Sequence, residues 1–330
     1  MTPSPNHTIA LSHDSTIALN GIHNARAIIH NKLHRTPTAS ASALGELAGV
    51  QLFLKCEQFQ KTGSFKPRGA LNKLAHLSEA ERARGLVSAS AGNHAQGLSY
   101  AARAFGAHAT IVMPQDAPQA KIDAVRGYGG DIVFAESVNT MFDKMLELQR
   151  AHNYTIAHPF DDPYVIAGQA TIGLEIFEDV PDAEYVFVPI GGGGLISGIA
   201  AALKWQNPKI KIIGVESNAG GAYFASVRAG KNTRVVCTPT IAGGIVCPMI
   251  GENNYPLMQE FVDDVVLVND DELKDTIRLL LERCKMLVEG AGAAATAAII
   301  TKKVSLPKNT RVVSVLSGGN VDLARLKEWL

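Results

Sequence analysis

The feature that most constrains the fold is an alternation of short β-branched or apolar runs with amphipathic helical segments. The run Thr110–Met113 ends at Pro114 and precedes a helical pattern over 120–126, and the run Tyr185–Ile190 precedes one over 195–205. Strands that alternate with helices in this way form parallel sheets covered by helices on both faces. Because the alternation occurs in two series, the sequence predicts an α/β protein. We expect two open, twisted, mainly parallel sheets flanked by helices.

Length and charge limit the kinds of protein that this chain resembles. Its 330 residues are 46% hydrophobic and 19% charged, which is enough for two domains with a large core. The 31 basic and 31 acidic residues cancel, so nothing in the charge favours a nucleic acid or a membrane surface as a partner. The N-terminal sequence has no export signal, and no run reaches the roughly 20 apolar residues of a membrane span. We therefore expect a cytoplasmic enzyme.

The four cysteines are widely scattered along the chain. They are Cys56, Cys237, Cys247 and Cys284, and no two of them have the spacing of a metal-binding or redox motif. We interpret them as free thiols in a reducing compartment, which agrees with a cytoplasmic location.

Lys66 lies in the segment Ser64–Gly69 (SFKPRG), where local chemistry favours an unusual lysine. Pro67 disfavours the α region for the residue before it, so we expect Lys66 to be extended ahead of a helix over 68–77. The positive end of that helix disfavours the ammonium form of Lys66. A lysine with a lowered pKa is a nucleophilic amine suited to a Schiff base. The alternative is a surface lysine near the start of a helix.

Four consecutive glycines, Gly191–Gly194, follow the apolar strand directly, and Leu195 then begins an Ala-rich helix. A strand, a glycine turn and a helix N-terminus together form an anion site, because bare amides can close around a phosphate. The glycines do not have the G-x-G-x-x-G spacing, and no Gly-Lys-Ser/Thr follows them, so a nucleotide triphosphate loop is excluded. The sequence thus predicts a phosphate site here rather than a merely flexible loop.

Two further junctions, Ser90–His94 and Ser317–Asn320, also follow strands with small or polar residues. Ligands in open α/β sheets bind outside the carboxyl ends of the strands, so we expect the three loops to converge on one cleft. Asn93 offers a donor and an acceptor to a ligand. His94 is either a base or a residue that stabilises its loop.

An activated lysine, a phosphate site and several anion-holding turns suit pyridoxal 5'-phosphate, which needs a lysine for its aldehyde and a cradle for its phosphate. Over residues 22–322 the sequence resembles the fold-type II pyridoxal-phosphate enzymes of the threonine/serine dehydratase and serine racemase group, which have the tryptophan-synthase-β-like fold. The matching segments are Ser64–Gly69, Ser90–His94, His158–Pro163, Gly191–Gly194, Val288–Ala293 and Ser317–Asn320.

The resemblance implies a domain organisation. Residues 1–84 and 161–330 are expected to form a large cofactor-binding domain, with residues 85–160 as a small mobile domain inserted in it. It also implies a homodimer or a homotetramer.

The resemblance further implies a role for individual residues. Lys66 is expected to form the Schiff base and to remove the α-proton of the substrate. Phe65 is expected to pack on the pyridine ring, Asn93 to bond its phenolic oxygen, and Glu289 to lie near the ring. Ser317 is expected to meet the pyridine nitrogen, where a neutral hydroxyl makes a weaker electron sink than a carboxylate does and so favours prompt β-elimination. The phosphate is assigned to Gly191, Gly192, Gly193 and Gly194, and the substrate to Ser90, Ala91, Gly92, Asn93 and His94.

Two departures from the family pattern are informative. Racemase members carry a second, proton-exchanging serine where Ala91 stands, so we expect dehydration with little or no racemisation. Family members with a cation site often place acidic residues soon after the glutamate that matches Glu216, but residues 217–222 contain no carboxylate. We therefore expect no metal site, although backbone carbonyls remain able to hold a monovalent cation.

The sequence thus predicts a pyridoxal-phosphate-dependent ammonia-lyase. It would dehydrate a β-hydroxy amino acid, with L-threonine and L-serine as the default substrates, to a 2-oxo acid and ammonia. Four alternatives remain open. They are a dehydratase of a bulkier or specialised hydroxy amino acid, such as an intermediate of hydroxyectoine breakdown, a serine racemase, a β-replacement enzyme like cysteine synthase, and a non-catalytic cofactor carrier.

Overall fold

The computed structural model describes residues 17–329, so the N-terminal sequence used above for the location lies mainly outside the described residues. The strands are β1 Thr38–Ser40, β2 Gln51–Cys56, β3 Leu86–Ala89, β4 Ala109–Pro114, β5 Asp131–Ala135, β6 Thr155–Ile156, β7 Tyr185–Pro189, β8 Lys211–Ser217, β9 Asp264–Val268 and β10 Arg311–Leu316. The helices are α1 Leu19–Ile29, α2 Ser42–Ala48, α3 Lys66–Ala75, α4 Glu79–Arg84, α5 Asn93–Ala104, α6 Gln119–Gly127, α7 Met141–His152, α8 Pro163–Asp179, α9 Gly194–Gln206, α10 Ala222–Ala229, α11 Asn254–Phe261, α12 Asp270–Leu279, α13 Gly290–Ile300 and α14 Leu323–Trp329. Within residues 17–329, no helix is both long enough and apolar enough to cross a bilayer.

The larger sheet has six strands in the order β1-β2-β10-β7-β8-β9. Strand β1 is antiparallel to β2, and the other neighbours are parallel. Apolar side chains alternate between its two faces: along β7, Val186 and Val188 join one core cluster, whereas Phe187 joins the other. Burial on both faces explains why this strand reads as a continuous apolar run.

The smaller sheet has four parallel strands in the order β5-β4-β3-β6. All four lie within residues 85–160, and the strands of the six-stranded sheet lie outside that range. The prediction of two mainly parallel sheets flanked by helices is confirmed. The domain boundaries and the mobility of the smaller unit stay predictions.

Helix α13 consists mostly of small residues and packs closely against the six-stranded sheet. Its sequence GAGAAATAAII is almost entirely buried, because glycine and alanine allow a close approach to the strands. Its buried hydroxyl Thr296 Oγ1 hydrogen-bonds Ser314 Oγ of β10 at 2.8 Å. The large majority of buried polar groups have such a partner, because an unpaired one costs free energy.

The structure corrects the predicted start of the helix that follows Ser64–Gly69. Helix α3 begins at Lys66 itself, with Pro67 in its first turn, and Lys66 is therefore not extended. Proline is tolerated there because the N–H groups of a first turn have no acceptor within the helix. The restriction that proline places on the preceding residue is a preference, and here the helix overrides it.

Candidate active site

A cavity of about 480 Å³ brings together every residue that the sequence assigned to the site. Residues from both sheets line it, at the carboxyl ends of β3, β7 and β10. The predicted residues in its lining are Phe65, Lys66, Ser90, Ala91, Gly92, Asn93, His94, Gly191, Gly192, Gly193, Gly194, Glu289 and Ser317. The three loops therefore converge on one cleft, as the position of strand ends in parallel sheets requires.

Lys66 begins helix α3 and extends its amine into this cavity. The Nζ atom donates to the backbone oxygen of Pro159 at 2.9 Å and lies 5.0 Å from the centre of the Phe65 ring. Burial lowers the pKa of Lys66 to about 8, against the opposing influence of Cys247 and Glu289. A larger fraction of this amine is therefore neutral near pH 7 than of an ordinary lysine.

Helix α5 packs closely on this lysine. A Cβ atom at Gly97 would lie 2.9 Å from the Cβ of Lys66, so only glycine fits there.

The glycine loop forms a tight turn between β7 and α9. Gly193 has a φ of +98°, which glycine adopts without strain, and α9 begins at the next residue. A Cβ at Gly192 would lie 2.2 Å from the Phe160 ring, and one at Gly194 would lie 2.7 Å from the Phe160 backbone oxygen. The loop therefore exposes backbone amides at the positive end of a 13-residue helix, an arrangement that fits a phosphate group.

Asn254 of α11 holds this loop, and sequence reasoning missed it. Its Nδ2 donates to the backbone oxygens of Gly192 at 3.1 Å and of Phe160 at 3.2 Å. The whole side chain is buried. No local pattern around Asn254 indicates contacts with residues more than 60 positions away in the chain.

His94 is held by residues outside its own loop, one on β3 and one directly after β6. The ring is buried, and Nε2 lies 3.2 Å from the Ala157 backbone oxygen, to which it donates, and 3.1 Å from Ser88 Oγ. Burial, together with the nearby charge of Lys66, lowers the pKa of His94 to about 3. The ring is therefore neutral at physiological pH, and its contacts favour the interpretation that it stabilises the loop.

Asn93 and Glu289 contact each other in the lining of the cavity. Asn93 Nδ2 donates to Glu289 Oε1 at 2.6 Å, and Asn93 Oδ1 accepts from Asn320 Nδ2 at 2.8 Å. Burial raises the pKa of Glu289 to about 7, although the Asn93 hydrogen bond and the charges of Lys121 and Lys66 oppose it. The carboxyl group therefore gives up its proton less readily than an ordinary glutamate does.

Ser317 lies at the end of β10, next to the lysine segment. Its backbone oxygen accepts from the Phe65 N–H at 3.1 Å, which ties the two segments together. Its hydroxyl makes a long contact of 3.4 Å with the Ala291 backbone oxygen. So long a hydrogen bond is weak, which leaves the hydroxyl available to a ligand.

Arg68 is the centre of a buried ion-pair network that the sequence did not predict. Its guanidinium contacts Glu57 at 2.8 Å and Glu175 at 2.7 Å, and Lys55 contacts Glu175 at 2.6 Å. Burial opposes the charge on Arg68, but the two glutamates outweigh it and raise the arginine pKa. Because Arg68 lies two residues after Lys66, the network fixes the first turn of α3.

Glu216 is occupied by the backbone. Its carboxylate accepts from the N–H groups of Tyr223 at 2.9 Å and Phe224 at 2.7 Å, at the start of α10. Burial raises the pKa of Glu216 to about 7. Within residues 17–329, no group of three or more His, Cys, Asp or Glu side chains is arranged to hold a metal ion.

Comparison with known proteins agrees with this geometry. Residues 29–318 match the family described as "Pyridoxal-phosphate dependent enzyme". The L-threonine ammonia-lyase of Thermotoga maritima is 47% identical over 93% of this chain and 76% of its own length. The catabolic L-threonine dehydratase of Escherichia coli is 41% identical over 96% of this chain and 97% of its own length. The structure of maize serine racemase matches with a TM-score of 0.88 and 36% identity, covering 94% of this chain and 95% of that one.

Proposed function

Because the chain belongs to the fold-type II family of pyridoxal-phosphate-dependent enzymes, we propose that it dehydrates L-threonine and L-serine, releasing a 2-oxo acid and ammonia. When bound, pyridoxal phosphate supplies an aldehyde that captures the amine of the substrate and an electron sink that acidifies its α C–H bond. The other chemistry falls to the side chains and amides of the cavity.

The observation that carries this proposal is that Lys66 and the Gly191–Gly194 loop line one cavity. The cofactor needs both, an amine for its aldehyde and a cradle for its phosphate. The segment Pro159–Phe160 connects them, because the Pro159 oxygen accepts from Lys66 Nζ and Phe160 packs on the glycines.

Lys66 acts at its Nζ atom. In the neutral form, which its lowered pKa favours, it would hold the cofactor at its aldehyde and, once the amine of the substrate has displaced it there, would accept the α-proton. Phe65 lies beside this amine and supplies an apolar surface for the ring. The glycine amides and the positive end of α9 hold the phosphate.

The Ser90–His94 loop receives the carboxylate of the substrate. The N–H of Gly92 lies 3.3 Å from Ser90 Oγ, and this loop presents the start of α5 to the cavity. The methyl group of Ala91 cannot exchange a proton, so it cannot return one to the far face of the α-carbon. Ser317 offers its hydroxyl to the pyridine nitrogen, and this neutral partner suits prompt loss of the β-hydroxyl.

The proposal is tested by assaying 2-oxo acid release from a panel of β-hydroxy amino acids. We expect L-threonine or L-serine to be turned over by the wild type, and Lys66→Ala to lose at least about 10³-fold in kcat because the proton acceptor is gone. Lys61→Ala is the matched control, since this exposed lysine lies five residues earlier. Chiral analysis of the remaining substrate in the same reactions should find almost no D-isomer.

Two outcomes would overturn the assignment. A yellow protein with bound cofactor that releases no oxo acid from any substrate would make β-replacement or an untested substrate the better reading. Efficient conversion of L- to D-serine would show that Ala91 does not prevent racemisation.

We propose a homodimer or homotetramer, as implied by the family resemblance, and a single-chain mass in light scattering would contradict it. A cytoplasmic location is supported by four cysteines that are all free thiols, since such thiols persist in reducing compartments.

A further inference from the structure

Hydrogen bonds determine which way the Asn93 amide points. Asn320 Nδ2 donates to the backbone oxygen of Thr62 at 2.7 Å, and because a carbonyl only accepts, this contact identifies the nitrogen of Asn320. The same nitrogen faces Asn93 at 2.8 Å, so the Asn93 atom opposite it is the oxygen. The Asn93 nitrogen must then face Glu289, to which it donates at 2.6 Å.

This arrangement leaves one amide N–H of Asn93 and Asn320 without an acceptor among residues 17–329. The two N–H bonds of the Asn320 amide are both used, by Thr62 and by Asn93. The Asn93 amide has two as well, and among residues 17–329 only one of them has an acceptor, Glu289. Turning the Asn93 amide over would place oxygen against the Glu289 carboxylate and nitrogen against the Asn320 nitrogen. The nitrogen–nitrogen contact would then be repulsive, and so would the oxygen contact whenever Glu289 is ionised.

The side chains of Asn93, Glu289 and Asn320 fit together because two neighbouring residues are glycines. A Cβ atom at Gly63 would lie 2.3 Å from Asn320 Oδ1. A Cβ atom at Gly318 would lie 2.7 Å from Glu289 Oε1 and 3.1 Å from Asn93 Nδ2. The backbone also joins in, since the Glu289 N–H donates to the Gly318 oxygen at 3.1 Å. Such close surroundings leave the three side chains little freedom to rearrange.

We propose that Glu289 and Asn320 are positioning residues that hold the Asn93 amide with its remaining N–H available to the phenolic oxygen of the cofactor. This inference rests on the proposed function, because it takes pyridoxal phosphate as the ligand. A donor fixed in advance stabilises the ionised phenol without a cost in reorientation. Glu289 thereby acts on the cofactor through Asn93.

A double-mutant cycle tests whether Glu289 acts through Asn93. The cycle is measured on apoprotein, to which pyridoxal phosphate is added without substrate. We expect Asn93→Ala and Glu289→Ala each to weaken cofactor binding about tenfold. The first variant removes the charge-assisted hydrogen bond to the phenolic oxygen, and the second removes the group that orients its donor. If Glu289 acts through Asn93, the double variant should also lose about tenfold, whereas independent contributions would multiply to about a hundredfold. Asn320→Ala should behave like Glu289→Ala.

Spectroscopy separates positioning from a general loss of structure. The visible absorption of the bound cofactor should shift toward that of the un-ionised phenol in Asn93→Ala and Glu289→Ala alike. Glu289→Gln should largely restore it, because the amide oxygen of glutamine also accepts from Asn93. Glu216→Gln is the matched control. Burial raises the pKa of Glu216 to about 7, as it does for Glu289, but Glu216 does not line the cavity.

Additive losses in the cycle, or an unchanged spectrum in Glu289→Ala at full occupancy, would overturn the inference. Neither result depends on turnover. A wild type that binds cofactor, shows the expected cycle and yet releases no oxo acid would count against the proposed function alone.

Discussion

The Gly191–Gly194 loop and the Ser90–His94 loop are both strand–turn–helix junctions, one on each sheet, yet they are built on opposite principles. In the glycine loop, Phe160 fills the space where side chains at Gly192 and Gly194 would be, so the loop offers its backbone to a ligand. In the other loop, a Cβ at Gly92 would meet nothing within 4 Å, and Asn93 and His94 extend side chains with defined partners. A phosphate site needs donors that do not move, whereas a site for a substrate and a ring oxygen needs groups with individual chemistry.

The largest expected effect concerns the free energy of unfolding at low pH. Of the two loops, only Ser90–His94 carries a titratable side chain, that of His94. The pKa of His94 is about 3 when folded and near 6.5 when unfolded, so between these values the unfolded chain binds the extra proton. The free energy of unfolding should therefore fall as the pH drops from 6.5 to 3, by up to about 5 kcal/mol at about 1.4 kcal/mol per pH unit. His94→Asn should remove this contribution, measured by urea unfolding at several pH values.

A suitable control is His108→Asn, an exposed histidine ahead of β4. Its acid profile should follow that of the wild type. If His94→Asn lost stability toward low pH as steeply as the wild type does, His94 would not be the source of that loss. The two loops would then not differ in their response to pH.

The next effect tests the closed packing of the glycine loop. In Gly194→Ala the new methyl group would lie 2.7 Å from the Phe160 oxygen, which cannot move without shifting Pro159 and its contact with Lys66. We expect a loss of about 1–3 kcal/mol in the free energy of unfolding, typical of overpacking. Cofactor titration should also show binding weakened by about tenfold or more, since the phosphate amides are displaced.

The smallest effect belongs to Gly92→Ala, the same substitution in the open loop. Because no atom of the described residues, 17–329, lies within 4 Å of the new methyl group, stability should stay within about 1 kcal/mol of the wild type. A thermal or urea unfolding curve checks this. A loss as large as that of Gly194→Ala would mean that the two loops do not differ in the way described.

Much of this arrangement was predictable from local sequence patterns. β-Branched runs located the main strands to within about two residues, and the carboxyl ends of parallel strands meet at one edge, so convergence of the three loops followed. The family prediction, and with it the cofactor, is confirmed by the match over residues 29–318. The roles of the single site residues stay predictions.

The remaining features depend on pairs that lie far apart in the chain. The contact of Asn93 with Glu289 spans 196 positions, and that of Arg68 with Glu175 spans 107. Nothing local to Glu175 distinguishes it from a solvated glutamate on a helix. Helix α11 was missed because Pro256 interrupts a short segment with little periodicity, and its Asn254 was missed with it. The predicted start of α3 was wrong because tertiary packing overrode the preference that Pro67 imposes on Lys66.

The ion-pair network around Arg68 has a consequence for recombination between relatives. Lys55, Glu57 and Arg68 lie in one stretch of the chain, while Glu175 comes more than a hundred residues later. A chimera with a crossover between 69 and 174 inherits two positive charges and one negative charge from one parent, and depends on the other parent for the balancing carboxylate. Removing one member of a buried pair costs about 3–5 kcal/mol, so viable crossovers should keep all four charges together or supply an equivalent glutamate.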